Sequence, residues 1–238
     1  MLRSVKFSEQ DKIVTLFTKE QGKVVVIAKG AQNARSKFLS STQPFSYCEY
    51  LLNKKNTYAY IESATLVKSF KNISLSIDKI ASASYISELV DKMYEYEQED
   101  MSVLSLLYYT LHLIEKEDDT SSLLLGLMFT LKIMGLYGIS PHLTSCTECN
   151  KTYPMYSFDF GGGGLLCRNC KTEELSMKKI TNEQANLLYN LLYLDIAKVT
   201  TLKEVEPQTM KYLIRLLNEY LKYNNIKSIN SCNLLCSL

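Results

Sequence analysis

The chain has 238 residues, enough for one large domain or two to three small ones, and its 46% hydrophobic and 22% charged residues are ordinary for a soluble globular protein. Met1 to Gly30 mixes charge with apolar residues instead of forming an apolar block, so no secretory leader is expected; the longest apolar stretch, Leu123 to Tyr137, is interrupted by Lys132 and reads as too short for a bilayer, so no membrane partner is expected. The net charge of +2 is unevenly spread: Met1 to Asp78 carries twelve Lys/Arg against six Asp/Glu, whereas Lys79 to Leu238 carries fifteen against nineteen. A basic first third suits a polyanionic partner, and equally a solvated lysine-rich surface.

The first third reads as β-structure. Leu2 to Phe7 supplies an edge strand. Lys12 to Lys19 and Lys23 to Lys29 are rich in β-branched and aromatic residues, and the short loop Glu20-Gln21-Gly22 predicts a hairpin between them. Phe45 to Leu52 and Tyr58 to Ser69 are two further strands, separated by the polar Asn53-Lys54-Lys55-Asn56. About five short strands with no long helix suit a small barrel of the OB-fold type.

Near Asp78 the periodicity changes. Tyr85, Ile86, Leu89, Val90 and Met93 recur at helical spacing, as do Leu104, Leu107, Tyr108, Leu111 and Ile114. Asp118-Asp119-Thr120 breaks the pattern before a Leu-rich helix from about Ser121 to Leu136, which Gly138 and Pro141 stop. Thr181 with Gln184 has the spacing of a capping box for a helix over Ala185 to Leu194. A last amphipathic helix follows Pro207, with Met210, Leu213, Ile214, Leu217 and Leu221 on one face; the tail from Ser228 to Leu238 is expected to be loose. The expected architecture is α+β: a barrel over residues 1–78 and a helical domain over 79–238, with an inserted metal-binding segment at 142–171.

That segment holds two matched cysteine pairs. Cys146 and Cys149 form one C-x-x-C, Cys167 and Cys170 a second, with seventeen residues between them. A two-residue gap lets both thiolates of a tight turn face one ion, and two such turns supply four soft ligands in a tetrahedron, so the spacing predicts Zn²⁺. Gly161 to Gly164 lies just before the second pair, where the chain must turn sharply. Four thiolates close the coordination sphere, which predicts a structural clip; His112 and His142, the two histidines of the chain, form no H-E-x-x-H pattern. Cys48, Cys232 and Cys236 remain outside the cluster, which suits a reducing, cytoplasmic setting; Cys232 and Cys236 are spaced to share a helix face but lack the further ligands of a second metal site.

No G-x-x-x-x-G-K-[ST] loop or G-x-S-x-G elbow is present, and no acid, base and nucleophile assemble, so the chain reads as a binding protein without catalytic residues.

In this order of barrel, helices and four-cysteine knuckle, the sequence resembles the bacterial RecO family of recombination mediators. Leu2-Arg3 followed by Thr18 to Lys23 is similar to the family's first hairpin; Ala28 to Ala31, Ser36-Lys37-Phe38 and Gln43-Pro44-Phe45 to its loop after strand three; Tyr85 with Glu88-Leu89 to the start of its helical domain; and Gly135 to Pro141, both cysteine pairs and Phe158 to Gly163 to its zinc region. The resemblance implies binding of single- and double-stranded DNA, annealing of complementary strands, loading of RecA together with RecR, and binding of the acidic C-terminal tail of the single-stranded DNA-binding protein SSB; it leaves open whether RecF is a further partner. Lys23, Lys29, Arg35 and Lys37, then Lys54 and Lys55, are the candidate phosphate contacts, each with the alternative of a plain surface residue. Tyr47, Tyr58 and Tyr60 are candidates for base stacking or for the barrel core, and Lys132 is a candidate cation for the SSB tail. This chain has Gln32-Asn33 where the family often carries further basic residues, which lowers the charge of that loop. Two readings stand at this point: a DNA-binding mediator with a structural zinc, and a zinc-ribbon adaptor that binds proteins only. A zinc hydrolase is disfavoured by the closed thiolate sphere.

Overall fold

The computed structural model describes residues 1–55, 58–152, 154–170, 177–202 and 205–238. Asn56 of the expected polar turn and Lys171 at the end of the expected metal-binding segment lie outside the described residues. The chain divides into two compact units, Met1–Lys116 and Glu117–Leu238. The strand-to-helix change near Asp78 and the division by compactness therefore fall at different places.

Unit 1 begins with β1 (Arg3–Lys6), β2 (Lys12–Thr18) and β3 (Gly22–Ala28), an antiparallel meander. Gly22 opens β3 with φ +56°, and a Cβ there would stand 1.9 Å from the Gln98 carbonyl oxygen, so only glycine fits this turn. After a long loop come β4 (Tyr47–Lys55) and β5 (Tyr58–Lys68), an antiparallel pair with two register shifts. The sheet order is β1-β2-β3-β5-β4, with β3 parallel to β5. This is the partly open five-stranded OB-fold arrangement. Across the seam, the Met1 amino group donates to the Ser46 carbonyl and the Ser4 hydroxyl to the Thr42 carbonyl. Val14, Leu16, Val26, Ala28, Ala31, Phe38 and Ile61 fill the interior. Each such side chain contributes about 1.5–3 kcal/mol by leaving water.

A 3-10 turn (Lys71–Leu75), α1 (Ile77–Met93) and α2 (Met101–Lys116) complete unit 1. Ser76 caps α1 by accepting from the Lys79 N–H, and Tyr85, Ile86, Leu89, Val90 and Met93 form its buried stripe. The end of α1 is fastened to the sheet: Asp91 meets Arg3 and Lys23, the rings of Phe17 and Tyr94 meet edge to face, and the Glu97 N–H donates to the Lys23 carbonyl.

Unit 2 is built around α3 (Asp119–Tyr137), capped by Asp118 and ended by Gly138 at φ +88°. By length and composition this helix is long and apolar enough to cross a membrane, so the expectation that the stretch is too short does not hold; it packs as a core helix, with Ser121–Leu131, Ile133 and Met134 buried. Around it lie α4 (Asn182–Tyr193), a 3-10 segment (Ile196–Leu202) and α5 (Pro207–Tyr223). The capping box at Thr181 and Gln184 is formed. The tail is not loose as expected: α6 (Ser231–Ser237) packs on α5 and buries Cys232, Leu235 and Cys236. Two turns are too few to show a clear period. A small sheet of β6 (Met155–Asp159), β7 (Gly164–Cys167) and β8 (Met177–Lys179), in the order β7-β6-β8, carries the cysteine segment.

Candidate metal centre and nucleic-acid interface

The turn that holds the first cysteine pair is closed by the Asn150 N–H donating to the Cys146 carbonyl at 2.9 Å, with Asn150 at φ +58°. Cys167 ends β7, and the Cys170 N–H donates back to its carbonyl at 3.2 Å. What brings the two turns together is a strip of backbone pairing between 142–147 and 163–165: His142 N–H to Gly163, Leu165 N–H to His142, and Thr147 N–H to Leu165. This approach needs Gly164, where a Cβ would lie 2.4 Å from the His142 carbonyl oxygen. The glycine turn that leads into β7 is fixed by the Asp159 carboxylate, which accepts from the N–H groups of Gly161 (3.0 Å) and Gly162 (2.7 Å).

The four sulfur atoms of Cys146, Cys149, Cys167 and Cys170 all lie within 4.8 Å of one another, and among the described residues no other group of His, Cys, Asp and Glu is so placed. Cys149 Sγ and Cys167 Sγ are 3.9 Å apart. A tetrahedral metal–thiolate site with bonds near 2.3 Å has sulfur–sulfur edges of about 3.8 Å, so the residues fit such an ion. The Cys167 N–H donates to Cys146 Sγ at 3.4 Å, as backbone amides do to a metal-bound thiolate. Burial pushes the Cys146 thiol up, but N–H groups of Cys149, Cys167 and Glu148 and the Cys149 thiol outweigh it and bring it down to about 6. Cys170, hydrogen-bonded first to Cys149, is pushed up to about 12. The spacing motif thus placed all four residues; Asp159, which sets the turn between them, carried no sequence signal beyond its position two residues before the glycine run.

In unit 1 the strand registers make one cross-strand row, Val5, Ile13, Ile27, Tyr60, Asn53. Val14, Val26, Ala59 and Ile61 alternate with this row and pack inward, so the row faces out. Lys29 is exposed with its ammonium 5.0 Å above the Tyr60 ring. Tyr58, two residues back on the same face, is 59% exposed, and Lys55 stands opposite it. Lys54 is opposite Ala59 and belongs to the other face, at the exposed end of β4. Arg35 is exposed in the β3–β4 loop; Lys37, also exposed, reaches β5 through a 3.2 Å hydrogen bond to the Glu62 carbonyl and lies over Phe38.

Three sequence assignments are corrected. Lys23 is not a surface cation: it is 6% exposed, with its ammonium on the Asp91 carbonyl and carboxylate and 4.8 Å from the Tyr96 ring. Tyr47 packs against Tyr108 of α2, with ring centroids 4.8 Å apart. Tyr58 and Tyr60 point out of the barrel, not into its core. Lys132, half-buried in unit 2, donates to the Leu192 carbonyl at 3.2 Å; burial lowers its pKa and Asp195 partly restores it.

Comparisons with known proteins agree with this architecture. The family described as "Recombination protein O N terminal" matches residues 1–70, and "Recombination protein O C terminal" matches residues 74–231. The chain is similar to the "DNA repair protein RecO" of Caldanaerobacter subterraneus subsp. tengcongensis, 35% identical over 205 residues (86% of this chain, 81% of the relative). It is also 35% identical over 221 residues to that of Shouchella clausii (92% and 85%), and 33% identical over 222 residues to that of Alkaliphilus metalliredigens (93% and 89%). With both halves of the chain matched and relatives covered over most of their length, the chain belongs to the RecO family of DNA repair proteins.

Proposed function

We propose that the chain is a non-enzymatic, cytoplasmic recombination mediator. It binds single- and double-stranded DNA through the outer face of the barrel, anneals complementary strands and, with RecR, helps to load RecA onto SSB-coated single strands. The observation that carries this reading is the outward row of Ile13, Ile27 and Tyr60, with Tyr58 beside it and Lys29, Lys37, Arg35 and Lys55 around it. Cations near aromatic and apolar side chains suit a flexible polyanion with planar bases: lysines meet phosphates, and rings stack on unpaired bases without reading sequence. Lys54 is an accessory cation at the edge of that face. The four cysteines hold Zn²⁺ as a structural clip, since four thiolates leave no open position for a substrate. RecR and the SSB tail are the proposed protein partners by family membership; RecF remains an open candidate.

Fluorescence anisotropy of a labelled single strand across a salt series tests this reading. Binding that weakens steeply with salt, and is lost when Lys29, Arg35 and Lys37 are changed together to alanine, supports it. No binding at low salt moves the weight to the protein-only adaptor.

A further inference from the structure

Cys232 and Cys236 form a second thiol group, separate from the metal cluster. Both are buried, one turn apart on α6, and both face α5. The Cys236 thiol lies 3.7 Å from the Lys211 carbonyl, and the Arg215 guanidinium donates to the Cys236 carbonyl at 3.1 Å. The two sulfurs are in hydrogen-bond contact with each other. Four residues of α-helix separate their Cα atoms by about 6 Å along the axis, inside the range a disulfide tolerates. No other potential ligand joins them, so they lack the set a metal needs.

We infer that Cys232 and Cys236 are a reversible oxidation site, closed to an intrahelical disulfide by a hydroperoxide. Cys236 is the attacking sulfur. Its thiol is held below the usual value, chiefly by the hydrogen bond from Cys232, with Arg215 adding to it, while the same bond and burial push Cys232 up. The Cys236 thiolate attacks a peroxide oxygen, the O–O bond breaks and hydroxide leaves, giving a sulfenic acid. The Cys232 sulfur then attacks the Cys236 sulfur; the S–O bond breaks, the S–S bond forms and water leaves with the Cys232 proton. Two thiols and one hydrogen peroxide give one disulfide and two waters. Closing the bond must draw the two side chains closer than a regular helix places them, so the two-turn α6 has to tighten, and the bond is correspondingly easy to reduce.

The test is differential alkylation of the full chain, reduced and metal-loaded, after titration with hydrogen peroxide. The expected result is a peptide containing both residues that is two hydrogens lighter, resists alkylation, and regains two alkylatable thiols with dithiothreitol, while the four cluster sulfurs stay unmodified. Cys236→Ser should leave Cys232 largely unoxidised, and Cys232→Ser should leave a sulfenic acid at Cys236 that dimedone traps. Two alkylated thiols after peroxide, or oxidation of the cluster sulfurs before this pair, would overturn the inference from the unmodified chain alone.

Discussion

The ammonium of Lys23 donates to the main-chain carbonyl of Asp91 at 2.5 Å and lies 3.6 Å from its carboxylate, so one side chain of β3 holds the last turns of α1. A cation at a helix C-terminus also complements the helix dipole. Arg3 approaches the same carboxylate at 3.1 Å from the exposed side.

Lys23→Ala leaves the Asp91 carboxylate buried without its main partner. Removing one member of such a pair costs about 3–5 kcal/mol, and Arg3 should keep the loss near the lower end. A denaturant midpoint that falls while DNA affinity per folded molecule stays constant is expected. Arg3→Ala, at the exposed partner, should cost less than about 1 kcal/mol.

The triple change of Lys29, Arg35 and Lys37 to alanine should act in the opposite sense, with stability nearly unchanged and binding weakened. If each meets one phosphate of a single strand, the slope of log K against log salt becomes shallower by about 2. An unchanged slope would remove these three residues from the interface.

Tyr58→Ala should lower affinity for single-stranded DNA about tenfold, since stacking on one base is worth about 1–3 kcal/mol. Affinity for duplex, whose bases are already stacked, should move far less. Because Tyr58 is largely exposed, the thermal midpoint is the control and should not shift.

Zinc analysis should give one ion per chain, and Cys146→Ser should abolish it. Chelation is expected to raise amide hydrogen exchange across residues 142–170 while exchange in β2 and β3 stays as it was. Uniform protection after complete metal loss would show that the clip is dispensable for that segment.

Gly164→Ala should weaken zinc retention without touching a ligand. Its new Cβ would collide with the His142 carbonyl, forcing apart the two backbone strips that hold the cysteine pairs. Metal release to a colorimetric chelator measures this directly.

Much of this was legible in the chain. The cysteine spacing located all four thiols, and the β-branched runs and helical stripes located the main strands and helices, because each of these signals is local. What was not legible depends on partners far away in sequence. Period-2 alternation puts Tyr58 and Tyr60 on one face of β5, but only the packing of Ala59 and Ile61 with Val14 and Val26 decides that this face is the outer one. Lys23 reads like any surface lysine of a hairpin until Asp91 arrives beside it. The two-turn α6 shows too little periodicity to announce itself, and its burial is decided by the face α5 offers.

The parallel pairing of Val26 with Ala59 and Ile27 with Tyr60 has a consequence for synthesis. As the nascent chain leaves the ribosome, β1 to β3 can form their local hairpins, but β3 keeps an unpaired edge until all of β5 has emerged. During that interval the meander exposes Val14, Leu16 and Val26, the residues that later become barrel interior. The period between translating Ala28 and Lys68 is therefore when this protein most needs chaperone cover against edge-to-edge association.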